Sequence, residues 1–133
     1  MEATVSPLVE PPQRAAVLAA LANQYQGDER YRMVRAPLEA VLRGGADLEV
    51  WFDCGLLRCF VFEDAHTLAA ESRVVRRWVR LYHRLNDGFA AQLWLAVPCV
   101  SLDRVRSLVV AEGLDAHLCG WRQVGGTIEL DWR

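Results

Sequence analysis

Between positions 47 and 97 the hydrophobic pattern changes period twice, and that succession restricts the fold more than any other feature of the chain. Residues 47–53 alternate, with Leu48, Val50 and Phe52 on one face and Asp47, Glu49, Trp51 and Asp53 on the other. After a turn at Cys54-Gly55, residues 56–63 return as a more continuously apolar strand. Thr67 has the side chain of an N-cap for a helix running to about Leu85. Leu68, Val75, Trp78, Tyr82 and Leu85 share one face of that helix. Asn86-Asp87-Gly88 terminates it, and residues 92–97 are a short apolar run of the kind found in buried parallel strands. A strand, a helix and a second strand in this order imply a right-handed crossover.

The flanks extend the same architecture. Residues 1–12, with Pro7, Pro11 and Pro12, have no periodicity and read as a flexible N-terminal arm. From Gln13, the residues Ala16, Val17, Leu18, Ala20 and Leu21 fit a helix that Gly27 can end. Residues 31–35 alternate and could form a first strand, while Pro37 can open a short helix before Gly44-Gly45. Ser101 is placed to cap a helix through Glu112, and residues 116–124 and 127–132 are strands joined at Gly125-Gly126. Residues 13–133 therefore read as one α/β (mixed α+β) domain, a single mixed sheet of five or six strands packed by helices.

Composition narrows the chemistry. All 15 basic residues are arginine, so no amine is available for Schiff-base or lysine-assisted catalysis. The absence of lysine fits a GC-rich, bacterial type of genome. A net charge of −2 requires any basic footprint to be local. Cys54, Cys59, Cys99 and Cys119 form no zinc-type spacing, and each lies in or beside an apolar run, as core cysteines do. His117 and Cys119 can share a strand face, but two candidate ligands do not make a metal site. No stretch approaches the ~20 apolar residues of a membrane span, and no leader pattern is visible, so a reduced cytoplasm is expected. Phosphate-loop glycines, nucleophile elbows and HExxH runs are absent from the sequence.

Two acids and a basic stripe remain as candidates. With a three-residue connection centred on Gly55, Asp47 falls opposite Glu63 with Cβ atoms ~5 Å apart. With a two-residue turn the register slips by one, and the two carboxylates go to opposite faces. On the long helix, Arg73, Arg77, Arg80 and Arg84, with Arg76 beside them, form a stripe opposite the apolar face. Such a stripe is either a solvated face or a site for phosphate or an acidic partner. Trp51, on the polar face of its strand, and Trp132, near the C-terminal end, could mark an exposed partner surface.

The order helix, strand, acidic hairpin, helix, strand resembles the core of the PD-(D/E)XK nuclease-like superfamily. The residues that carry it are Gly44-Gly45-Ala46-Asp47-Leu48, Phe62-Glu63-Asp64-Ala65, the long helix with Tyr82, and Leu93-Trp94-Leu95-Ala96-Val97-Pro98. The resemblance covers residues 13–98 and implies a restriction-endonuclease-like core. It also implies that Asp47 and Glu63 stand where family members bind Mg²⁺ and catalyse phosphodiester hydrolysis. The position of the family's lysine is Ala65. Arg73 or Arg76 could be recruited in its place, but arginine stays charged and is a poor proton acceptor. The expectation is therefore a degenerate, non-catalytic copy of the fold, a nucleic-acid-associated or regulatory module. The alternatives are a small protein-interaction module, adaptor or chaperone-like, and a divergent Mg²⁺-dependent nuclease; a homo-oligomer is compatible with each.

Overall fold

A computed structural model describes residues 9–88 and 90–133. Most of the expected flexible arm, residues 1–8, lies outside the described residues. The elements in order are α1 (Arg14–Asn23), β1 (Tyr31–Arg35), α2 (Leu38–Leu42), β2 (Leu48–Phe52), β3 (Gly55–Phe62), α3 (Ala65–Ala69) and α4 (Glu71–Gly88). Then follow β4 (Gln92–Pro98), a 3₁₀ turn at Cys99–Ser101, α5 (Leu102–Ala111), β5 (Ala116–Val124) and β6 (Thr127–Trp132). The strands form one mixed six-stranded sheet in the order β1-β2-β3-β4-β5-β6. β3, β4 and β5 are parallel neighbours, and the remaining pairs are antiparallel.

The period-two pattern of β4 is two-sided. Leu93, Leu95 and Val97 join Val61, Trp78, Leu81 and Val105 beneath α4 and α5, while Trp94 and Ala96 join Val17, Leu18, Phe60 and Trp121 beneath α1. Helices thus cover both faces, which is why β4 reads as continuously apolar. Both readings of residues 31–42 hold, in sequence: a strand, then a short helix opened by Pro37.

Three local expectations are corrected. Thr67 is not an N-cap. Asp64 caps α3, its carboxylate accepting from Thr67 N (2.8 Å) while Thr67 Oγ1 accepts from Asp64 N (2.9 Å). This capping box spends the turn signal three residues early, and the chain breaks at Ala70 before α4 begins. The buried face of α4 is Val74, Trp78, Leu81 and Leu85, one residue round from the face drawn through Val75 and Tyr82, which are only half-buried. Ser101 occupies the cap position of α5 without a side-chain hydrogen bond, because a 3₁₀ turn leads into the helix there.

The β2–β3 hairpin uses a two-residue turn at Asp53-Cys54, where Asp53 takes a φ of 52°. The left-handed region is one that aspartate tolerates. A bulge between Val50 and Trp51 then shifts the register by one, since Arg58 rather than Leu57 faces Val50. At the far end Asp47 N donates to Phe60 O (2.9 Å), although Leu48 already faces Phe60. Asp47 therefore sits a step out of the ladder and is not directly opposite Glu63. Neither idealised register holds, because irregularities at both ends of β2 intervene.

Candidate anion-binding site

Each acid is held by an arginine. Asp47 is 1% exposed; its Oδ1 accepts from Arg14 Nε (2.7 Å) and its Oδ2 from Phe62 N (2.8 Å). Arg14 also donates to Glu10 Oε1 and to Ala36 O, both at 2.7 Å. Glu63 is 0% exposed; its Oε2 accepts from Trp78 Nε1 (2.8 Å) and from Arg77, in a close ion pair. Asp47 turns toward α1 and Glu63 toward α4, the backbone of Phe62 and Glu63 lying between them.

Burial pushes both carboxyls above the usual carboxylate range. Against this, Arg14 and the Phe62 amide pull Asp47 down, and Arg77 and Trp78 pull Glu63 down. Thr67 also lies near enough to Glu63 to lower it, although the Thr67 hydroxyl bonds Asp64 O (3.1 Å) and leaves Glu63 Oε1 without a hydrogen-bond partner.

This donor set does not fit Mg²⁺. A hard cation takes six or more oxygen ligands in open geometry, and three of the four carboxylate oxygens here already accept from N–H groups. Among the described residues no cluster of three His, Cys, Asp or Glu could hold a metal.

The arginine stripe divides by role. Arg77 is only half exposed because it reaches down to Glu63, so it does not belong to a free basic face. Arg84 donates to Gly44 O (2.6 Å) and pins the loop between α2 and β2 to α4. Gly44 has a φ of 97°, a conformation that L-residues rarely adopt, and this turn sets Arg43 against the helix. Leu42, Arg43 and Gly44 then face Arg73, Arg76, Arg77 and Arg80 across a cleft of about 410 Å³. No acid lines it. Arg43, Arg73, Arg76 and Arg80 make no ion pair with any described acid. Glu71, the acid in the first turn of α4, is taken up by Arg104 of α5 at 3.0 Å. Five guanidinium groups thus surround one concavity, a geometry suited to phosphate oxygens.

Trp51 and Trp132 do not make one surface. Trp51 shares its face of β2 with Glu49 and faces Arg32, whose guanidinium carbon lies 5.2 Å from the ring centre. Trp132 lies over the other face of the sheet, against Phe60 and Trp94 at 6.1 and 5.3 Å between ring centres. The sheet separates them, and with that the common patch expected from their exposure is lost. Of the cysteines, Cys59 and Cys119 are core residues whose thiols burial pushes up to about 12, so neither is a nucleophile at neutral pH. Cys54, on the hairpin turn, is exposed rather than packed in the core. His117 stacks on Trp94 (4.8 Å).

Arg14 and Arg43 escaped the sequence reading. Arg14 stands at the head of the series 14, 17, 18, 21, the buried face of α1. A lone arginine on an apolar helical stripe is the sequence signal of a buried ion pair, with its partner unknown until the fold is drawn. Arg43 has no such periodic marker.

Among the described residues, no helix is long and apolar enough to cross a membrane. Comparison with protein-family models, curated proteins and solved structures returns no match.

Proposed function

We propose that this domain is a non-cleaving nucleic-acid-binding module, a PD-(D/E)XK-like fold whose acidic pair has become structural. The observation that carries the reading is the cleft of Arg43, Arg73, Arg76, Arg77 and Arg80, with no acid among the described residues that line it. In a chain of net charge −2, four arginines without a described acidic partner around one concavity are a local footprint of a polyanion. Supporting the reading is the order α1, β1, β2, β3, α4, β4, interrupted by the short helices α2 and α3. What departs from a nuclease is the chemistry. Arg14 and Arg77 neutralise the acids that would hold a cation, and Ala65 supplies no group to orient water.

Two assays test it together. Fluorescent single- and double-stranded DNA and RNA should bind in the presence of EDTA and stay intact with Mg²⁺ or Mn²⁺. Cleavage that is lost in both Asp47→Asn and Glu63→Gln, with the variants verified as folded, would restore the nuclease. Absence of binding to every one of these polymers at low salt would remove the function altogether.

A further inference from the structure

Behind the arginine cleft lies a second cavity that shares Leu42 and Arg77 with it. It measures about 190 Å³, and its walls are chiefly apolar, among them Leu38, Val41 and Phe62. Arg14, Asp47, His66, Thr67 and Arg77 also line it, with Asp47 already ion-paired to Arg14 and Arg77 to Glu63. We propose that this cavity receives the base of an unpaired nucleotide whose phosphate lies on the arginines, an inference that rests on the phosphate reading of the cleft.

Size, contiguity and chemistry favour that occupant. The cavity alone is below the ~300 Å³ of sites for drug-sized ligands, and so suits one flat ring system. The shared residues place an apolar slot beside a polycationic one, matching a nucleotide, which carries a flat, weakly polar ring on one side and its charge on the other. Arg77 is held by Glu63, so the phosphate falls to Arg43, Arg73, Arg76 and Arg80. A base within a duplex cannot enter such a slot without leaving its stack, so the occupant is a single-stranded end, a loop or an extruded nucleotide.

The test compares a nucleoside 5′-monophosphate with ribose 5-phosphate, by calorimetry or by competition against a labelled oligonucleotide. The nucleotide should bind about tenfold tighter, the increment expected for one stacked base. Leu38→Trp and His66→Trp, which fill the cavity from a half-buried and an exposed position, should erase the difference and leave ribose 5-phosphate binding unchanged. Equal affinity of the two ligands for the parent protein, or a difference that survives both substitutions, would overturn the inference and leave the cleft as a phosphate site. Binding of neither ligand, together with no binding of oligonucleotides, would overturn both.

Discussion

Arg77→Met should destabilise the protein by about 3 kcal/mol or more at pH 7.5, because it leaves a buried carboxylate without its countercharge. Glu63 is 0% exposed, and without Arg77 its charge would be left with Trp78 Nε1 and the nearby Thr67, neither of them a countercharge. The loss should depend on pH in a defined direction. Burial already holds the Glu63 carboxyl above its ordinary range, and removing the guanidinium that opposes this raises it further. In the folded variant Glu63 then keeps its proton at pH values where the unfolded chain has released it. Stability is retained below the unfolded carboxyl pKa and is lost as pH rises through the folded one, with a slope of up to ~1.4 kcal/mol per pH unit. Denaturant titrations of parent and variant should therefore converge near pH 4 and diverge toward neutrality. Adding Glu63→Leu to Arg77→Met should recover most of the loss, since a buried pair replaced by apolar groups is often close to neutral. A single variant as stable as the parent at pH 7.5 would mean that Arg77 does not neutralise Glu63.

The second large effect concerns binding. Replacing Arg43, Arg73, Arg76 and Arg80 together with glutamine should lower oligonucleotide affinity by at least a hundredfold near 100 mM salt, as four charge-assisted phosphate contacts are removed. Folding should survive: Arg43, Arg73, Arg76 and Arg80 are exposed and unpaired among the described residues, and changes at such positions usually shift stability by ~0.5 kcal/mol or less each. Arg77 is left in place, so that loss of the Glu63 pair cannot be mistaken for loss of the ligand. Retention of parental affinity in this variant would return the stripe to an ordinary solvated helix face.

Much of the fold is written in local pattern, and the site is not. Alternation in β2, the apolar run of β4 and the Gly125-Gly126 turn mark their elements, because each depends on residues a few positions apart. The helix expected from Thr67 starts instead at Asp64 and divides at Ala70, because Asp64 and Thr67 are both good caps and only the reciprocal bonds between them decide which one leads. The register of Asp47 against Glu63 depends on a bulge and on a step out of the ladder, both set by packing across the sheet. The pairs that redefine the acids join Arg14 to Asp47 and Arg77 to Glu63, residues 33 and 14 positions apart in sequence. No spacing rule connects them. The stripe itself was legible from helical spacing, but its division into a buried partner, a loop clamp and a free set was not. Arg77, Arg84 and Arg80 look alike until Glu63 and Gly44 are placed beside α4.

The central claim is that phosphate meets arginine in this cleft and that no metal takes part. Its most direct test is the salt dependence of single-stranded DNA binding, measured from 50 to 300 mM salt in EDTA and again with Mg²⁺ under matched ionic conditions. Four arginine–phosphate contacts predict a log–log slope near −3 for a single strand, at ~0.7 per contact, with binding retained in EDTA. A slope shallower than about −1, or binding that appears only when Mg²⁺ is supplied, would contradict it.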